Sequence, residues 1–235
     1  MFDPYETTSV GGFVQQLAAH CLPHGYRYYV SGLLPEGKDY RAIDARIITK
    51  YDIPANKWER YRRKKAGEVN LRYLRHGRQF LLIATGPWGQ HPFFESEVEI
   101  RDVHEVPIRF HGYALSYRGG RVWVRIGREE LKAIRKRLLW MARRARASRL
   151  AAEFKAIPYQ PYRSVRYQLL RLLEAVNKRR KVVRLRPVPE SAIPERRINC
   201  CVFKKAECKS QTMGEECTEK KHEQATHTAE VGALG

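Results

Sequence analysis

The chain has 235 residues, enough for one substantial core or two small ones, and carries 45 Lys+Arg against 25 Asp+Glu for a formal net charge of +20. Residues 206–235 hold three Lys+Arg and six Asp+Glu, which leaves 42 against 19 in residues 1–205, a net of +23. An excess of that size opposes compaction unless a polyanion relieves it, so nucleic acid is the leading partner class, and no apolar run approaches the roughly 20 residues of a bilayer span.

Residues 1–9 lack the cationic and apolar regions of a secretory signal, so a cytoplasmic location with reduced cysteines is expected. A first helix is expected over residues 10–22, where Val10, Phe13, Val14, Leu17 and Cys21 recur at helical spacing and Pro23 stops the run. Residues 26–30 are rich in strand formers. After the loop at residues 35–39, Asp39 is placed to cap a second helix with Tyr40, Ile43, Ile47, Ile48 and Tyr51 inward. Pro54 ends it. Asn56 and Glu59 have the spacing of a capping box and open a third helix bearing Arg60 to Lys65. Trp58 and Tyr61, three residues apart on one helical face, are expected to be core.

Val69, Leu71 and Tyr73 alternate with Asn70 and Arg72, the period of a strand with one wet face, and the apolar run at residues 80–85 fits a strand covered on both faces. These two strands flank the turn at His76, Gly77 and Arg78. Residues 86–89 form a loop, and residues 93–105 an acidic segment. A second hairpin follows, with strands at residues 108–118 and 121–126 about Gly119 and Gly120. On its return strand Val122, Val124 and Ile126 share one face, while Arg121, Trp123 and Arg125 share the other.

A long basic helix is expected over residues 128–156. Leu131, Ile134, Leu138, Met141, Ala142, Ala145 and Ala152 make its core stripe, and Trp140 lies opposite with Lys136, Arg137, Arg143 and Arg144 at i±3 and i±4. Between Leu131 and Ala152 there are eight Lys+Arg and no acid, so neutralisation must come from outside that stretch. Trp140 either packs against another part of the chain or offers its ring to a base. A last helix at residues 164–177 buries Val165, Leu169, Leu172, Leu173 and Val176 and is closed by Lys178, Arg179, Arg180 and Lys181, a run that also matches a nuclear-localisation pattern. Pro187, Pro189 and Pro194 make residues 187–205 extended, and residues 206–235 are polar enough for a disordered tail.

The expected architecture is therefore α+β: one basic domain at residues 5–186, with an antiparallel sheet built from two hairpins and packed with helices. Its function is expected to be DNA or RNA binding through a continuous basic surface. Backbone contacts would come from Arg62, Arg63, Lys64, Lys65, Lys136, Arg137, Arg143, Arg144 and Lys178 to Lys181, with Trp123 and Trp140 for stacking. Phosphate contacts position a protein without reading sequence.

The alternative is a metal-dependent nuclease or recombination enzyme. A strand through residues 95–99 would put Glu95, Glu97 and Glu99 on one face with Asp102 close by, able to hold Mg²⁺ for phosphodiester cleavage; otherwise these are an acidic edge paired with the chain's own arginines. Asp44 is a candidate distant partner. A structural ribonucleoprotein role is a further alternative, with the basic segment at residues 178–205 ordering on assembly. No cofactor is expected outside the Mg²⁺ alternative. His91, His104 and His111 form no His-x-His pair for a tyrosine nucleophile among Tyr159, Tyr162 and Tyr167. Cys200, Cys201, Cys208 and Cys217 lack zinc spacing, and no phosphate-binding glycine loop or nucleophile elbow occurs.

Overall fold

The computed structural model describes residues 5–53, 56–86, 91–198 and 202–203. Pro54, residues 87–89 of the expected loop, the four late cysteines and the tail at residues 206–235 lie outside the described residues. The fold is α+β, as the periodicities imply, with seven α-helices and two antiparallel sheets among the described residues. Each expected hairpin seeds a sheet of its own.

The first sheet contains β1 (Tyr28–Leu33), β2 (Leu71–His76), β3 (Gln79–Ala84) and the short β4 (Arg101–Asp102), in the order β2-β3-β1-β4. Interior β3 is apolar on both faces because both are covered. Leu81 and Ile83 enter the main core, while Leu82 and Ala84 enter a second core with Tyr51, Ile53, Val69, Leu71, Tyr73 and Phe93. The register Leu74↔Leu81 and Tyr73↔Leu82 keeps these sets apart, since neighbouring strand residues point to opposite faces.

The first expected helix is regular only over α1 (Val10–Gln16), capped by Ser9, whose hydroxyl accepts the Gly12 N–H at 3.0 Å. It then widens to a π-helical turn at Leu17–Cys21 and tightens at Leu22–His24. The irregular turns still bury Leu17, Cys21 and Leu22. Phe13 stacks on Phe110 with ring centroids 3.7 Å apart, tying α1 to the second sheet.

In α2 (Tyr40–Lys50), Asp39 caps as expected, but the inward face differs from expectation. Tyr51 and Asp44 are buried, whereas Ile43, Ile47 and Ile48 are only partly covered. Asp44 accepts from the Arg75 Nε at 2.9 Å and from the Tyr73 hydroxyl, and Arg75 also reaches Glu6 at 3.0 Å. Desolvating such ions costs several kcal/mol each unless every group is hydrogen-bonded, so Asp44 is committed to this buried pair and not to an acidic site.

Asn56 caps α3 (Lys57–Ala66) by accepting the Glu59 N–H at 2.8 Å. No residue of α3 is fully buried. Before α4 (Pro92–Ser96), His91 accepts the Phe93 N–H through Nδ1 at 3.1 Å. Burial, and then the charge of Arg63, lower the His91 pKa below its ordinary value; burial and the neighbouring His76 do the same to His111. A histidine whose folded pKa lies below its unfolded one contributes stability that is present above the unfolded value of about 6.5 and lost as pH falls through the folded value. The melting temperature is thus expected to fall as pH drops below the unfolded value of about 6.5, and less so in His91→Asn, which retains an acceptor for the Phe93 N–H. Parallel pH–melting curves for the two proteins would exclude His91 as a contributor.

The second sheet, β5-β6-β7, is a meander of β5 (Ile108–Phe110), β6 (Tyr113–Arg118) and β7 (Arg121–Ile126). The single strand expected over residues 108–118 is broken by a turn at His111 and Gly112, both at positive φ (42° and 79°). Gly119 and Gly120 make the expected second turn, also at positive φ.

The expected long helix is two helices, α5 (Arg128–Met141) and α6 (Ala147–Lys155), joined by an elbow at residues 142–146. The interruption resets the helical phase. In α6 Leu150 and Phe154 turn inward, and Ala152, placed on the core stripe by an unbroken helix, is exposed. The last helix, α7 (Arg163–Val182), runs through the basic residues beyond Asn177 and buries Val165, Leu169, Leu172, Leu173 and Val176. Each such aliphatic side chain contributes about 1.5–3 kcal/mol. Beyond it, Val188, Ala192 and Ile193 return to the main core.

Candidate nucleic-acid interface

Trp58, Trp123 and Trp140, the three tryptophans among the described residues, are all exposed, by 75%, 37% and 62% respectively. Tryptophan is usually well covered, so three open rings on one chain are unusual. The expectation that Trp58 and Tyr61 are core is overturned: both stand on the outer face of α3, Tyr61 62% exposed, beside exposed Arg62, Lys64 and Lys65. Helical spacing alone says that two aromatics share a face, not which way that face points. Arg63 departs from its expected role, because its guanidinium is held by Asp52 at 2.6 Å and Glu59 at 3.0 Å and is largely covered.

At the α5–α6 elbow the packing alternative for Trp140 fails, because its ring is open. The Arg144 guanidinium lies over it, 4.7 Å from the ring centroid, and hydrogen-bonds the Trp140 carbonyl at 3.5 Å. Around the ring is a concavity of about 530 Å³ bordered by Arg137, Arg144, Arg146 and Arg149, with Ser148 and Glu153. Arg137 is paired with Glu153 at 2.9 Å. Lys136 and Arg143 are exposed but lie outside this concavity. Arg146 and Arg149, not among the expected contacts, take their place, because the elbow swings the start of α6 toward Trp140.

Arg180 is the clearest correction. Expected to touch phosphate, it is 1% exposed and donates to three backbone carbonyls: Ala142 at 2.9 Å, Ala145 at 2.8 Å and Arg186 at 2.6 Å. Burial pulls its pKa down from the usual arginine value. Its neighbours Lys178, Arg179 and Lys181 are exposed, and Arg179 donates to the Leu139 carbonyl at 3.3 Å. The basic run therefore divides, with one arginine holding the elbow and the others facing outward.

The return strand of the second hairpin is cationic outside, as expected: Arg121, Trp123 and Arg125 are exposed while Val124 and Ile126 are buried. The Arg125 guanidinium sits 5.1 Å from the Trp123 ring centroid, and the indole N–H donates to the Arg118 carbonyl at 3.4 Å.

The acidic residues are not assembled. Glu95 belongs to α4 instead of a strand, so it shares no strand face with Glu97 and Glu99. Glu97 accepts from the Tyr51 hydroxyl, Glu99 pairs with Arg101 at 3.0 Å, and Asp102 accepts from the Arg27 Nε at 2.7 Å. Burial alone would raise the Asp102 pKa, but the hydrogen bonds from Arg27 and the His104 N–H hold it below the usual carboxylate range. Among the described residues no three His, Cys, Asp or Glu side chains are placed to share a cation. Comparison with models of known families, with curated proteins and with solved structures found no match for this chain.

Proposed function

We propose that this protein binds nucleic acid through three basic–aromatic surfaces: α3, the outer face of β7, and the α5–α6 elbow. The observation that carries the reading is the open Trp140 ring beneath Arg144, lining a concavity bordered by arginines. Cations supply phosphate contacts and release counterions, while an open indole offers a sequence-tolerant stacking partner. The outward Lys178, Arg179 and Lys181 add charge near the same elbow.

Equilibrium titrations of single-stranded DNA, duplex DNA and RNA across a range of salt test this. If phosphate contacts dominate, log K falls linearly with log salt, by about 0.9 per contact on duplex DNA. A flat salt response, or no binding to any of the three polymers, would sink the reading. Adding Mg²⁺ to the same mixtures and following the length of the polymer separates a binder from a nuclease.

A further inference from the structure

A groove of about 700 Å³ runs between β7 and the first turns of α7, lined by Arg121, Val122, Trp123, Arg125, Arg163 and Tyr167 among others. We infer that it is a pocket for an unpaired nucleobase, so that the preferred ligand is a single strand; this rests on the nucleic-acid reading above and names its ligand class.

Four observations converge. The volume falls within the roughly 300–1,000 Å³ of small-ligand pockets, which admits a flipped or single-stranded base but not a duplex. Two aromatic rings border it from different elements, Trp123 on β7 and Tyr167 on α7, the latter 63% exposed. Arg121, Arg125 and Arg163 are exposed at its rim, where the phosphates of an entering strand would pass, whereas Arg166 is held by Glu190 at 2.9 Å and Glu195 at 3.4 Å.

The fourth observation is the free edge of β7. Gln168 treats the end of this edge as a neighbouring strand would: its carbonyl oxygen accepts the Ile126 N–H at 2.8 Å and its amide donates to the Ile126 carbonyl at 3.1 Å. Since the outward N–H and C=O groups recur every second residue on an edge strand, those of Val124 and Val122 face the same way. They have no hydrogen-bond partner among the described residues, and Val122 lines the groove. A nucleobase edge carries an adjacent acceptor and donor, the pattern that the Gln168 carboxamide already satisfies on this strand. A base seated on Trp123 or Tyr167 could use the edge at Val122 in the same way through its Watson–Crick edge, which is free only in an unpaired base.

The test compares fluorescent oligo(dT) and oligo(U) of about 15 nucleotides, near the upper site size of a single-strand groove, with a duplex of the same length. Trp123→Ala and Tyr167→Ala are each expected to weaken single-strand binding by about 5-fold to 100-fold while leaving duplex affinity within about twofold. Trp123→Phe should restore most of the loss, which a purely structural role for the indole would not explain. Tyr167 is exposed, so its truncation leaves the fold intact and the comparison usable. If single-strand and duplex affinities fall together, or neither moves, the pocket is refuted while the electrostatic reading stands. Absence of binding by the unaltered protein to any polymer would refute both.

Discussion

Replacing Arg180 by alanine is expected to lower the melting temperature by roughly 6–12 °C, the consequence of losing about 3 kcal/mol in a protein of this size. The side chain is 1% exposed and its guanidinium donates to the carbonyls of Ala142, Ala145 and Arg186. Ala142 and Ala145 belong to the elbow where regular helical hydrogen bonding stops, so truncation leaves their carbonyls without this donor, at about 1–3 kcal/mol for each buried group left unsatisfied. Lost packing of the aliphatic stem adds to this. Arg180→Lys should recover only part, because a single ammonium lacks the planar fork that spans several acceptors. Thermal unfolding followed by far-ultraviolet dichroism measures both variants. A fall of less than about 2 °C in Arg180→Ala would mean that water replaces the guanidinium without penalty, and the elbow would need another explanation.

The same arginine explains where reading the sequence succeeded and where it stopped. Local signals of capping and turn chemistry were legible: Asp39 and Asn56 cap as their positions imply, and Gly119–Gly120 turns as its flexibility allows. The alternation at residues 69–73 and the apolar run at residues 80–85, on either side of a turn, disclosed a hairpin because both depend only on neighbouring residues. The break between α5 and α6 was not legible. Residues 142–146 contain neither Gly nor Pro, and the group that takes two of the elbow carbonyls comes from a residue 35 and 38 positions away. The turn at His111 and Gly112 was hidden for a related reason, since a non-glycine at positive φ is uncommon and gives little warning.

The candidate site was half legible. Its charge and its aromatic content were evident, and so was the outward face of Trp123, because strand parity next to Val124 and Ile126 settles direction. Helical periodicity left Trp140 ambiguous and misassigned Trp58 and Tyr61, since α3 packs so lightly that its aromatics stay outside. Tyr167, Arg163 and the free edge of β7 could not be found by motif or spacing. They become neighbours only when α7 is laid beside β7.

The elbow carries the other large effect: the double charge reversal Arg144→Glu with Arg149→Glu is expected to weaken binding of duplex DNA by about 60-fold and of single-stranded DNA by about 25-fold at about 0.1 M salt. Two lost phosphate contacts reduce the magnitude of the salt slope by roughly 1.8 on duplex and 1.4 on a single strand, and at that concentration each contact accounts for about 8-fold and 5-fold respectively. Both side chains border the concavity around Trp140, and neither is in a described salt bridge with an acid. Arg149 lies in the first turn of α6, where a carboxylate is favoured by the helix dipole, so the reversal does not threaten that helix. Trp140→Ala should act differently, weakening single-strand binding more than duplex binding, because an indole stacks on an unpaired base and carries no charge. Titration against salt separates the two effects: the double reversal changes slope and intercept, the tryptophan variant the intercept alone. If the reversed protein keeps the slope of the original, the phosphates run elsewhere, and the outward charges of α3 become the surface to test next.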